Sequence, residues 1–146
     1  MTTNSSEGTW RARLATATRT ARVAVGPAAL AIAGEALRLA WATGGTVRGA
    51  DADAELWWLR AGEVIADTGD ELDLLHAAPH VKLGTGPTPV AELTDSPELR
   101  AALADLLAAV RDALRRYAGQ SVSGRERLIA TFAVVAAALA VTAASL

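Results

Sequence analysis

The carboxy-terminal stretch LIATFAVVAAALAVTAASL, residues 128–146, contains no charged residue, no proline and no glycine. A helix over these 19 residues rises about 1.5 Å per residue and covers close to the ~30 Å hydrocarbon thickness of a bilayer. Such a helix is apolar on every side and must be surrounded by lipid or by protein. This stretch therefore restricts the folds that the whole chain can adopt.

Two interpretations of this run are open. Its apolar residues favour insertion into a membrane, and Arg125 and Arg127 just before it would keep the rest of the chain in the cytoplasm. Its larger side chains also recur at alternating four- and three-residue steps, as in a helix buried in a bundle. The residues of this seam are Leu128, Phe132, Val135, Leu139, Thr142 and Leu146. We expect a membrane span, and the alternative is the buried centre of a soluble five-helix bundle.

The rest of the composition also favours helices. Hydrophobic residues make up 51% of the 146 residues, aromatic residues only 4%, and alanine accounts for much of the apolar content. Alanine is the best helix former, whereas the few β-branched and aromatic runs provide little for strands. The sequence predicts an all-α fold. We expect an up-and-down bundle of four to five helices with a long Pro/Gly loop between helices 3 and 4 and a very apolar carboxy-terminal helix.

Glycine, proline and capping residues delimit these helices. Gly26-Pro27 separates the first two, Gly44-Gly45 ends the second, and Ser96-Pro97-Glu98 has the pattern of a helix cap and first turn. The predicted segments are a flexible amino terminus at 1–8, helices at 9–25, 27–43, 52–76 and 97–118, a loop at 77–96, and an apolar helix at 124–146.

Within each helix the apolar residues recur at helical spacing and are expected to point inward. On the first helix these are Trp10, Leu14, Ala17, Ala21 and Val25; on the third, Trp58, Ala61, Ile65, Thr68, Leu72 and Leu75; on the fourth, Leu99, Leu103, Leu106, Val110, Ala113 and Tyr117.

Charge is distributed unevenly along the chain. The formal net charge of -2 argues against nucleic acid as the main partner. Residues 1–50 carry six arginines and two acids, whereas residues 51–98 carry eleven acids and two basic residues. We expect the basic side of the first helix, with Arg11, Arg19 and Arg22, to pair with the acidic third helix inside the same fold.

The third helix carries the candidate partner-binding residues. Three of its acids, Glu63, Asp67 and Glu71, lie four residues apart and so form one stripe of the helix. The adjacent tryptophans at 57 and 58 point about 100° apart, so one can enter the core while the other anchors a protein partner. The candidates are Trp57, Trp58, Glu63, Asp67, Asp70 and Glu71.

No catalytic, cofactor-binding or metal-binding residue is assigned. Asp73 and His76 form one acid-x-x-His step, but a di-iron bundle needs a second such helix. The LGTGPTP segment lacks the strand–helix context of a phosphate loop. With no cysteine, the chain has no disulfide and no Cys-ligated metal site.

We therefore expect a non-enzymatic helical interaction or adaptor protein, anchored by its carboxy-terminal helix with the amino-terminal domain in the cytoplasm. One alternative is a soluble five-helix accessory or regulatory subunit. Another is a small metal-binding bundle enzyme that uses the acids of the third helix and His76. The sequence does not specify the partner or the oligomeric state.

Overall fold

The computed structural model describes residues 3–45, 47–48, 51–73 and 93–120. Its elements in chain order are helices α1 (Thr3–Val23) and α2 (Pro27–Gly44), strand β1 (Val47–Arg48), helix α3 (Ala52–Asp73), strand β2 (Leu93–Thr94) and helix α4 (Pro97–Gln120). This mostly helical content confirms the predicted all-α class. The predicted apolar helix at 124–146 and most of the loop lie outside the described residues.

The membrane prediction falls on that carboxy-terminal part of the chain. Among α1 to α4, none has both the length and the apolar character that crossing a bilayer requires. The candidate span at 128–146 lies beyond the last described residue, Gln120.

The bounds of α1 differ from those predicted. The helix begins at Thr3, within the segment expected to be flexible, and residues 3–8 contain no proline that would interrupt its backbone hydrogen bonds. It ends at Val23. Val25 consequently lies in a non-helical connection and is 58% exposed, so its predicted place on the buried face of the helix is wrong.

Two short strands lie in segments where the sequence predicted no helix. β1 and β2 pair in parallel, with Val47 opposite Leu93 and Arg48 opposite Thr94. Val47 and Leu93 are buried. Two residues are too few to show the alternation that identifies a strand in a sequence, which explains why neither strand was predicted. The pairing brings the residues that precede α3 and α4 side by side.

The first three helices alternate in direction. Residues 24–26 form a short connection that folds α2 back against α1. α3 then runs back along α2, because Gly44 lies beside the Trp58 ring and Gly62 lies beside the ring of Trp41 further back on α2. This part of the fold agrees with an up-and-down order.

The fourth helix does not continue the alternation. Parallel strands immediately precede α3 and α4, so the two helices begin at the same end of the fold. At the other end, the Arg116 side chain of α4 contacts the end of α1. α1, α3 and α4 therefore point the same way. Parallel strands need a long crossover connection, and α3 together with the 19 residues between Asp73 and Leu93 provides that length between β1 and β2.

The apolar core lies between α1, α2 and α4, while α3 packs against α2. Its largest fully buried side chains are Leu14, Leu30, Leu37, Ile65, Thr68, Leu99, Leu103, Leu106, Leu107, Val110 and Leu114. The predicted inward faces of α3 (within its described side chains) and α4 are thus confirmed. The buried Thr68 hydroxyl donates to the Val64 carbonyl at 2.9 Å, which satisfies it inside the core.

The turn between α1 and α2 depends on a glycine and an arginine. Gly26 has φ 63° and ψ −153°, a backbone conformation that only glycine adopts readily. Arg116 donates from Nε to the Ala24 carbonyl at 3.1 Å and from a terminal nitrogen to the Ala21 carbonyl at 2.8 Å. These bonds pair carbonyl groups at the end of α1, where the helix leaves acceptors unfilled, and the Ala21 carbonyl also accepts from the Ala24 N–H at 3.4 Å.

The Gly26 backbone predicts a specific sensitivity to substitution. Gly26→Ala places no atom in contact with a neighbour but requires the strained backbone, so it should lower the free energy of unfolding by about 1–3 kcal/mol. Gly119→Ala is the matched control, because Gly119 has an ordinary helical φ and open space around it. Chemical denaturation followed by tryptophan fluorescence measures both. Equal losses in the two variants would contradict the assignment.

Candidate partner-binding site

A cluster of four side chains joins the start of α3 to the start of α4. Trp58 Nε1 donates to Asp95 Oδ1 at 2.9 Å. Arg100 donates to the same carboxylate with two nitrogens, at 2.9 Å to Oδ1 and 2.6 Å to Oδ2. The Arg100 guanidinium also lies over the Trp57 ring, 4.5 Å from its centroid. The two indole rings meet edge to face at 4.7 Å and 73°.

The strands and helix caps hold this cluster in place. Asp95 follows β2, and its backbone N–H donates to the Arg48 carbonyl of β1 at 3.3 Å. Ser96 caps α4, since its Oγ accepts from the Leu99 N–H at 3.1 Å. Asp51 caps α3 through Oδ1, which accepts from the Ala54 N–H at 2.8 Å. Both helix starts are therefore anchored beside the small sheet.

The Asp95–Arg100 pair is held in its charged form. The hydrogen bonds from Arg100 lower the pKa of Asp95, with a smaller contribution from Trp58, although burial opposes the change. The Asp95 carboxylate in turn raises the pKa of Arg100. Only 12% of the Asp95 side chain is exposed, so its three side-chain hydrogen bonds replace most of its contact with water.

This geometry gives the two predicted tryptophans a structural role. Trp58 is only 6% exposed and packs in the core, while Trp57 is half-buried beneath Arg100. Within the described part of the chain, the buried Trp57 Nε1 has no hydrogen-bond acceptor. The indoles join α3 to α4, and these contacts support a packing role for the pair. A partner-anchor role for either tryptophan stays a prediction.

The predicted acids occupy a different side of α3. Glu63, Asp67 and Asp70 are exposed, whereas the side chain of Glu71 lies outside those that the structure describes. Leu56 and Leu59, at 43% and 61% exposure, precede the acids at three- and four-residue steps. These five exposed residues form one stripe, the α3 outer face: Leu56, Leu59, Glu63, Asp67 and Asp70.

The two leucines were not among the predicted site residues. The sequence could have indicated that they are exposed, because neither leucine shares the helical spacing of Trp58, Ala61 and Ile65, which face the core. Large apolar side chains opposite a buried seam must be exposed or covered by another element. α3 packs chiefly against α2, and no other element in the described part of the chain covers its outer face.

The basic side of α1 does not pair with α3 as predicted. α1 packs against α2 and α4. The exposed guanidinium of Arg19 bonds Thr16 Oγ1 at 3.3 Å, and Arg11 lies 5.1 Å from the Trp10 ring centroid. Among the described residues, no ion pair joins α1 to a carboxylate of α3. Among the described side chains the internal pairing does not form, because α1 and α3 both pack against α2 rather than against each other.

One exposed side of α1 therefore remains positively charged. We name it the α1 basic face: Arg11, Arg19, Arg22 and Val23. Val23 is 76% exposed at the end of the helix. The three arginines also line a groove of about 330 Å³ between α1 and α4, opposite the carboxylates of Glu98 and Asp105. The mixed charges of this groove do not select one class of small ligand.

The described residues contain no group of three or more His, Asp or Glu side chains that could hold a metal ion. The Asp73 side chain and His76, which formed the predicted alternative, lie outside the side chains that the structure describes. No protein-family model, curated protein or solved structure matches the sequence. The geometry of the described residues is therefore the basis for the function proposed below.

The two tryptophans predict different responses to the same substitution. Trp58→Phe removes a hydrogen bond to a buried carboxylate and should lower the free energy of unfolding by at least about 1.5 kcal/mol. Trp57→Phe keeps a ring beneath Arg100 and removes a buried N–H that has no acceptor, so it should cost less than about 1 kcal/mol. Chemical denaturation of both variants measures the difference. A larger loss for Trp57→Phe would refute the assigned roles.

Proposed function

We propose that the protein is a non-enzymatic helical adaptor that binds a protein partner on the α3 outer face. We propose further that residues 128–146 anchor it to a membrane and that the described helices lie in the cytoplasm. The observation that carries the docking role is the pair of exposed leucines, Leu56 and Leu59, in line with three exposed acids.

The α3 outer face has the chemistry of a helix-docking surface. Its leucines provide apolar area that a partner can cover, and each fully buried leucine is worth about 1.5–3 kcal/mol. The acids Glu63, Asp67 and Asp70 continue the same stripe and favour a partner that presents basic side chains. A helix with apolar residues near one end and arginines or lysines along the rest fits this pattern.

The organisation of the site favours binding over catalysis. Asp95 and Arg100 are the described groups with clearly shifted pKa values, and the shifts arise from their mutual ion pair. The pair also holds the starts of α3 and α4 together, since Asp95 accepts hydrogen bonds from both Trp58 and Arg100. A structural role therefore explains the shifted pKa values. The exposed acids of α3 have the solvated environment of a docking surface.

Two features support the membrane anchor. The run at 128–146 is uncharged, and Arg125 and Arg127 precede it, as expected at a cytoplasmic boundary. α4 also ends beside the end of α1, as the Arg116 bonds show, so the chain leaves the described bundle at one end. This exit point suits a bundle that is attached to a bilayer by its carboxy terminus.

Fractionation of the full chain tests the anchor. We expect the protein to stay in the membrane pellet after a carbonate wash. Val135→Arg, near the middle of the run, should release it, since a central arginine costs about 2.5–3.5 kcal/mol on insertion. Ser145→Arg, near the end of the run, is the control and should remain in the pellet. Recovery of the unmodified protein in the soluble fraction without detergent would instead support the five-helix accessory subunit.

Photo-crosslinking tests the docking face. A benzophenone amino acid at Leu59 should give protein adducts in the native host, because this exposed position lies within the α3 outer face. The same group at Ala101, which is exposed on α4, is the matched control. We expect Leu59 adducts to exceed Ala101 adducts at least tenfold. Equal yields at both positions would remove the docking role from this face.

A further inference from the structure

We infer, building on the docking role proposed for the α3 outer face, that its partner is a second copy of this chain. The second copy would contribute its α1 basic face, and the two helices would lie antiparallel. The two surfaces are complementary in charge, although Glu98 and Asp105 of α4 border the arginines of α1. Each surface carries exposed apolar side chains near one end, and among the described residues no other element covers either one.

On the α1 basic face, the apolar residue stands at the end of the helix. Val23 is 4 residues from Arg19 and 12 residues from Arg11. At about 1.5 Å per residue, these charges lie about 6 Å and 18 Å from the valine along the helix axis. Arg19 and Arg11 are both exposed.

On the α3 outer face, the apolar residues stand near the start of the helix, and the spacing is almost the same. Leu59 is 4 residues before Glu63 and 11 residues before Asp70, which corresponds to about 6 Å and 16 Å along the axis. An antiparallel alignment of the α1 valine against Leu59 therefore brings each of the two arginines opposite an acid. A parallel alignment would leave one set of charges without partners.

The direction of the helices excludes this pairing within one chain. α1 and α3 point the same way in the described bundle, whereas the complementary alignment is antiparallel. In addition, α1 packs against α2 and α4, and α3 packs against α2. A second copy rotated by a two-fold axis perpendicular to the helices presents its α1 in the required direction.

One like-charge contact accompanies the alignment. Arg60 is exposed one residue beyond Leu59, and in this register it lies opposite Arg22 of the other copy. Two facing arginines weaken the association. The contact provides a sharp test, because Arg60→Glu converts repulsion into attraction without changing a buried residue.

Reversal of the charges tests the partner. The full chain in mild detergent at low ionic strength should self-associate in sedimentation velocity, and the association should weaken as salt is raised. Arg11→Glu/Arg19→Glu and Glu63→Lys/Asp70→Lys should each weaken self-association at least tenfold. Their equimolar mixture should restore it, because the reversed α1 of one variant then meets the reversed α3 of the other.

Matched variants separate the specific contact from net charge. Arg13→Glu/Arg115→Glu changes the net charge as much as the α1 reversal but at exposed residues outside the face, and should leave association within about threefold of the unmodified chain. Arg60→Glu should strengthen association at least threefold. Because the chain has no cysteine, Val23→Cys and Leu59→Cys copies with different tags should also form a mixed disulfide in preference to either homodisulfide.

Three outcomes would overturn the inference. A chain that remains monomeric, while Leu59 adducts contain a different protein, eliminates the second copy but leaves the proposed docking face intact. If neither charge reversal weakens self-association, the contact between copies lies on other residues. If Leu59 gives no adducts and the chain is monomeric, the docking role of the α3 outer face fails together with the inference.

Discussion

The carboxylate of Asp95 is the group on which the arrangement of the described helices most depends. It accepts hydrogen bonds from Trp58 of α3 and from two nitrogens of Arg100 of α4. The backbone N–H of Asp95 also donates to the Arg48 carbonyl of β1. Charge-assisted bonds of this type are stronger than neutral ones and impose geometry. Asp95 therefore joins the start of α4 to β1 and α3, whose bonded residues lie 37 or more positions earlier in the chain. The consequence is that α3 and α4 start together and point the same way.

That shared direction determines which surfaces remain available. With α1, α3 and α4 parallel and α2 opposed, α2 lies against both α1 and α3. The acids of α3 then face away from the arginines of α1, although both helices belong to a small bundle. Among the described residues, the arginines of α1 and the acids of α3 are consequently exposed rather than paired with one another.

Local patterns predicted the elements well and their assembly poorly. The helical spacing that includes Ile65 and Leu103 correctly identified buried faces, because burial of one side of a helix leaves a periodic trace in the sequence. The bonds of Asp95 join residues 37 positions apart and leave no such trace. The Trp57-Trp58 pair was conspicuous in the sequence, but its role depends on Arg100, which no spacing rule connects to it.

The exit of the chain beside the end of α1 has a geometric consequence for an antiparallel pair. In the antiparallel pair inferred above, the two α4 helices end at opposite ends of the pair, because α4 ends beside the end of α1. If residues 128–146 anchor each copy as proposed, the pair would join two facing bilayers, and the length of α4, 24 residues or about 36 Å, would set the scale of the gap.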